Sequence, residues 1–155
     1  MIKKILRKNR FTGNILEVYF LSKKYLKPKG WFRSRYLHIP IDNNNAPVPW
    51  FTYSSKHFIE QKLLLKPMTV FEYGSGNSTL WFSSRVDSIT SIENDKDFYS
   101  IMLKEFSLKT NISYELRKLE DNYSSKILEY ESEFDIVIID GRKSCLLYTS
   151  PSPRD

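Results

Sequence analysis

Thr69-Val70-Phe71-Glu72-Tyr73-Gly74-Ser75-Gly76-Asn77-Ser78-Thr79 decides the fold of this chain. Thr69–Tyr73 is short and rich in β-branched and aromatic residues, which reads as a strand. Gly74, Ser75 and Gly76 are small, and glycine lets a ligand approach the backbone closely. Asn77 or Ser78 can cap the helix that follows, over Ser78–Ser84. A helix opened in this way presents free backbone N–H groups to a ligand. Outward from this stretch, a second strand, Ser88–Glu93, ends in an acid twenty-one residues after Glu72. A further strand, Phe134–Asp140, ends in another.

The remaining elements alternate in the same way. Asp95 to Phe106 is a helix, with Phe98, Met102 and Phe106 four residues apart. Asn111–Leu116 is a third strand, and Asp121 to Tyr130 is a loop with a helical portion. Ile136-Val137-Ile138-Ile139 is apolar without alternation, as suits a strand buried on both faces of a parallel sheet. The expected fold class is α/β. It is a Rossmann-like, doubly wound, mostly parallel sheet of about four strands. N-terminal helices precede it, at Asn14–Leu26 and Ser54–Leu65, stopped by Lys27-Pro28-Lys29-Gly30 and by Pro67. Asp42 to Pro49 is a loop.

Three regions follow from this. Residues 1–66 form a basic helical region and loop, and 67–144 a partial sheet domain. Residues 145–155 are set aside. Cys145-Leu146-Leu147-Tyr148-Thr149-Ser150-Pro151-Ser152-Pro153-Arg154-Asp155 resembles translated sequencing-adapter sequence, so the natural chain is expected to break off near Ser144. The residues before it suffice for one small domain with a core. Hydrophobic content of 41% and aromatic content of 15% describe a globular protein. Cys145, the only cysteine, lies in the set-aside tail, which leaves the rest without a disulfide or a cysteine metal site. There is no signal-peptide pattern and no apolar run of about 20 residues. A cytoplasmic location is expected.

Charge is unevenly placed. Met1 to Arg35 holds eleven Lys or Arg against Glu17 alone, giving +10, so the rest of a chain of net charge +6 carries −4. This arm, with Tyr19, Phe20, Tyr25, Trp31 and Phe32, is a candidate for peripheral contact with an anionic membrane. Nucleic acid is not the expected partner. The favoured reading is a helix docked on protein through Ile15, Val18, Tyr19 and Ser22.

The strand-end acids define the ligand chemistry. Gly74-x-Gly76 would suit a dinucleotide, but that fingerprint wants Gly or Ala at position 79, where this chain has Thr79. Glu72 stands where a carboxylate would oppose a pyrophosphate, at a cost of about 1–4 kcal/mol in a partly desolvated pocket. The same charge favours a ligand carrying an ammonium and a sulfonium, namely S-adenosyl-L-methionine. Glu93 falls where an acid accepts both ribose hydroxyls.

On these residues the chain resembles the class I, Rossmann-like S-adenosylmethionine-dependent methyltransferases. The resemblance covers Thr69 to about Arg142. Glu72-Tyr73-Gly74-Ser75-Gly76-Asn77-Ser78 is similar to the first motif, with Ser78 in place of its last glycine. Ser91-Ile92-Glu93-Asn94-Asp95 is similar to the second, and Phe134 to Gly141 to the fourth-strand motif. The resemblance implies cofactor contacts at Glu72, Tyr73, Gly74, Ser75, Gly76, Asn77, Ser78, Glu93 and Asn94. It also implies a role for Asp140 near the reacting groups, as base or positioning residue for a small-molecule acceptor. An adenine-side acid has no clear match; Glu120 and Asp121 are the candidates. No metal site is expected. Trp50, Phe51 and Tyr53 are candidate lid residues, with core packing favoured. Neither His38 nor His57 is expected to act in catalysis. The competing readings are a nucleotide-dependent oxidoreductase using NAD and a non-catalytic binding module. By resemblance the sheet needs further strands after Asp140, so this 155-residue chain is expected to be inactive.

Overall fold

The computed structural model describes residues 10–63, 65–130 and 134–140. It divides into two compact units, Met1–Val48 and Pro49–Asp155. The division falls at Val48, so the helix after the proline-rich loop belongs with the sheet. The tail from 141 onward lies outside the described residues.

In the first unit, α1 spans Arg10–Leu21 and continues as a wider turn over Ser22–Leu26, closed by Lys27 N–H donating to Ser22 C=O at 2.8 Å. Gly30 ends this run with φ +76°, and a Cβ there would lie 2.4 Å from the Asp42 carbonyl carbon. A short helix missing from the sequence reading, α2 (Trp31–Leu37), follows directly. No side chain caps it, so no capping signal marked it. Ile15, Val18 and Tyr19, the face expected to dock, are exposed.

The second unit opens with α3 (Tyr53–Phe58), capped by Thr52 Oγ1 accepting from Ser55 N–H, and a wide turn over Ile59–Leu63. Four strands then build the sheet: β1 (Thr69–Tyr73), β2 (Ser88–Glu93), β3 (Ile112–Leu116) and β4 (Ile136–Ile139). Their order is β3-β2-β1-β4, and every pairing is parallel. The connection between β1 and β2 is α4 (Asn77–Ser83), and that between β2 and β3 is α5 (Lys96–Phe106). A 3-10 segment over Tyr123–Glu129 lies between β3 and β4. This is the Rossmann-like arrangement, with the direction of winding reversing at β1.

Register fixes which side chains share a face, because alternate residues of a strand point to opposite sides. Glu72 pairs with Ser91 and Ile138, and Ser91 with Tyr114. That face meets α4, through Ser78 and Thr79, and α5, through Tyr99 and Phe106. Phe71, Tyr73, Ile92 and Ile139 occupy the other face, with Tyr123, Ile127, Tyr130 and Phe134 packed against them. Both faces are therefore covered, as a parallel sheet requires. Lys126 is buried there between Glu115 (3.1 Å) and Glu129 (2.6 Å), tying the 3-10 segment to β3. β4 departs from its expected burial on both faces. Ile138 is buried, but Val137 is 45% exposed, because β4 is the edge of the described sheet and pairs with β1 alone.

Phe71 is the centre of the second face. It is fully buried, with the rings of Tyr73, Phe134 and Tyr130 at 4.9, 5.1 and 5.6 Å. Phe71→Ala should destabilise the fold by about 3–5 kcal/mol in urea unfolding. A loss under about 1 kcal/mol would contradict this core.

Candidate functional site

Reversal of the strand order at β1 opens a crevice at the carboxyl ends of the strands. A cavity of about 230 Å³ lies there. β1 contributes Gly74 and Ser75 from the turn after it, and β2 contributes Glu93, Asn94 and Asp95. Phe98, in the first turn of α5, and Asp140, at the end of β4, complete the lining.

The turn takes its shape from its glycines. Gly74 has φ +89° and Gly76 φ +156°, ψ −146°, a combination open essentially to glycine alone. Gly74 N–H donates to Ile92 C=O at 2.9 Å, which holds the turn against β2. Gly76 N–H donates to Thr79 Oγ1 at 3.1 Å. Capping of α4 therefore comes from Thr79 folding back, rather than from Asn77 or Ser78. It also occupies an N–H that a phosphate-binding turn would offer.

Glu72 differs most from expectation. It is fully buried and lines no part of the cavity. Its two carboxyl oxygens accept from Ser78 Oγ and Thr79 Oγ1, each at 2.5 Å, across the packing between β1 and α4. Burial raises its pKa to about 7, against the lowering effect of its bonds to Ser78, Thr79 and Ser91, while Asp140 adds a small upward push. Glu72 therefore anchors the glycine turn from beneath. The carboxylates that border the cavity are Glu93, Asp95 and Asp140.

Glu93 is 7% exposed and oriented by its own loop. Its Oε1 accepts from Asn94 N–H (2.8 Å) and Asp95 N–H (2.9 Å), and its Oε2 accepts from Ser75 Oγ (2.8 Å). Two acceptor positions per oxygen leave one, on Oε2. Asp95 caps α5 through Asp97 N–H and Phe98 N–H, both at 3.0 Å. Asp140 is exposed, its N–H donates to Tyr73 C=O at 2.9 Å, and partial desolvation raises its pKa.

The structure thus brings together Gly74, Ser75, Glu93, Asn94 and Asp140 of the expected residues. Glu72, Tyr73, Gly76, Asn77 and Ser78 lie outside the lining. Tyr73 points to the opposite face, where its hydroxyl donates to Ser124 C=O at 2.7 Å. Asp95 and Phe98 were missed. Phe98, four residues before Met102, is 38% exposed in the first turn of α5. Trp50 and Tyr53 are exposed and Phe51 packs on Phe82; none of them lines the cavity. Glu120, Asp121 and His57 are exposed away from it, and His38 lies in the first unit.

No protein-family model matches this chain, and no curated protein matches it. Among the described residues no helix is long and apolar enough to cross a membrane, and no group of His, Cys, Asp and Glu is arranged to hold a metal ion.

Glu72 imposes a pH dependence. Its folded pKa lies above the ordinary value of 4.5, so its contribution to stability is complete below about pH 4.5 and is lost as pH rises through about 7. The carboxyls of Asp135, Glu115 and Glu129 are lowered, so they act in the acid range instead. Between pH 5 and 8 the chain should lose up to roughly 3 kcal/mol relative to Glu72→Gln, measured by denaturant unfolding at several pH values. Stability that rises with pH relative to Glu72→Gln would contradict the buried placement.

Proposed function

We propose that this chain is the cofactor-binding part of an S-adenosylmethionine-dependent methyltransferase acting on a small-molecule hydroxyl. One observation carries the reading. Glu93, pre-oriented by two backbone N–H groups, borders a cavity at the strand ends whose described lining holds three carboxylates and no cation. Such a lining favours a ligand that is cationic and rich in hydroxyls. It opposes a diphosphate, as does the occupied Gly76 N–H.

The residues present fit the cofactor. Glu93 would accept from the ribose, Gly74 would allow the ligand close to the turn, and Asp95 and Asp140 would lie near its positive groups. Phe98 offers an aromatic wall, which suits either a base or a cation. The cavity, about 230 Å³, is below the roughly 300–1,000 Å³ usual for whole small-molecule sites, so the described residues account for part of such a site. When bound, the cofactor supplies an electrophilic methyl group. The protein's contribution is chiefly orientation of the two reactants. Asp140 would position the acceptor hydroxyl and take its proton as the oxygen gains the methyl group. Partial desolvation raises the pKa of this carboxyl, in the direction that suits a base.

Isothermal titration should show binding of S-adenosylmethionine and its demethylated product in preference to NAD. Glu93→Ala should weaken that binding by about 1.5–3 kcal/mol, the value of a charged hydrogen bond. Preference for NAD, or affinity unchanged in Glu93→Ala, would remove the reading. In a longer, active form of the protein and with the acceptor in hand, Asp140→Asn should lower kcat by about 10²–10⁴-fold with little change in cofactor affinity. A matching loss of affinity would make Asp140 a binding residue only.

A further inference from the structure

The first unit carries a surface that the proposed chemistry does not use. Gly30 joins the run from α1 to α2, packed against the backbone of Asp42 and Asn43. Ser34 Oγ donates to Ile41 C=O at 2.6 Å and accepts from Ile41 N–H at 3.1 Å. These bonds hold one side of α2 to the loop that follows it. At 3.6 residues per turn, residues two positions away from Ser34 stand nearly opposite it. Phe32 and Tyr36 therefore face away from the loop, and Tyr36 is 83% exposed. Trp31 packs edge-on to Phe32 at 5.1 Å and is exposed as well. On α1, Ile15, Val18 and Tyr19 share one exposed face, and Leu21 is exposed too. Single apolar residues on a surface are ordinary. A helix pair that exposes aromatic and aliphatic side chains together marks a contact surface.

Charge identifies what covers it. Met1 to Arg35 holds eleven Lys or Arg and one acid, Glu17. The next acid, Asp42, is used within its own loop, where Oδ1 accepts from Asn44 N–H (2.7 Å) and Ala46 N–H (2.9 Å). Between the helices the chain reads Lys23-Lys24-Tyr25-Leu26-Lys27-Pro28-Lys29. Lys23 Nζ lies 5.7 Å from the centre of the Tyr19 ring, and Lys24 Nζ 5.4 Å from that of Tyr25. Cations among exposed aromatic rings, beside aliphatic side chains, match the layering of a bilayer surface. There, phosphates lie outermost, aromatic rings sit at headgroup level and acyl chains lie beneath. A second copy of the chain would bring the same positive excess against itself. Nucleic acid would pair with the cations but leave Ile15, Val18, Leu21 and Leu37 uncovered.

We propose that the first unit docks on an anionic phospholipid surface, with Lys23, Lys24, Lys27 and Arg33 on the headgroup phosphates and Trp31, Phe32 and Tyr36 seated among the headgroups. Among the described residues no helix is long and apolar enough to cross a membrane, so the contact is peripheral. The inference is independent of the methyltransferase reading.

The test is flotation of the full chain with vesicles of phosphatidylcholine containing about 30% phosphatidylglycerol, against vesicles of phosphatidylcholine alone. In dilute salt the anionic vesicles should bind about 10-fold more tightly or better, and that binding should fall about 10-fold or more as NaCl rises from about 50 to 500 mM. Lys23→Glu with Lys24→Glu should weaken it by about 10-fold or more. Both lysines are exposed, and circular dichroism checks that the double variant is folded. Trp31 emission, read in Trp50→Phe with Trp81 buried, should shift to the blue when anionic vesicles are added. No binding in dilute salt, or equal binding to both vesicles, would overturn the proposal. So would a folded double variant that binds as before, or Trp31 emission that does not move. Retention of a duplex oligonucleotide without vesicle binding would make the partner nucleic acid instead. Self-association in sedimentation equilibrium without vesicle binding would make it a second copy. The two vesicle types and the salt series use the unmodified chain, so that arm decides even where a variant fails to fold.

Discussion

The bond between the Glu72 carboxyl and the hydroxyls of Ser78 and Thr79 is the constraint on which the site depends. It joins the end of β1 to the first turn of α4 through the interior. The intervening Gly74-Ser75-Gly76 must then close a tight path, and its two glycines take up conformations that a side chain would strain. Thr79 serves both partners at once, donating to Glu72 and accepting from Gly76 N–H. A carboxyl buried this completely costs stability when charged. Its two short hydroxyl contacts offset part of that cost and fix the turn in one arrangement.

From that anchored turn the rest of the site follows by register. β2 runs alongside β1, so Glu93 arrives beside Ser75 at the same end of the sheet. β4 pairs on the other side of β1 and delivers Asp140. The winding reversal at β1 keeps these two ends apart and leaves space between them. Tyr114, in register with Ser91, reaches Ser75 from the side of α5. Four strands and one turn thus place every polar group of the cavity.

Much of this was legible in the sequence, for physical reasons. β1 and β2 have the expected bounds because β-branched and aromatic runs end at glycine or acid. That Glu93 and Asp140 border one crevice was legible because strand ends in a parallel sheet converge. The depth of Glu72 was not legible. A carboxylate next to a glycine turn reads as a ligand contact unless two hydroxyls six and seven residues later fold back onto it, and linear spacing carries no sign of that. Phe98 was missed because helical periodicity reports which face is apolar, not which of its residues border a cavity. Val137 was misjudged because an apolar run shows no neighbour count, and β4 has one partner among the described strands. The helix Trp31–Leu37 lacked both cap and amphipathic pattern.

The central claim is that a cationic nucleoside sits over Glu93 at the end of β2. Amide NMR spectra recorded while S-adenosylmethionine is titrated into the chain test it most directly. The account predicts saturable shifts concentrated at Gly74, Ser75, Asn94, Asp95 and Phe98, with much weaker changes when NAD is added. Shifts confined to other parts of the sheet, or the same amides responding more strongly to NAD, would contradict it.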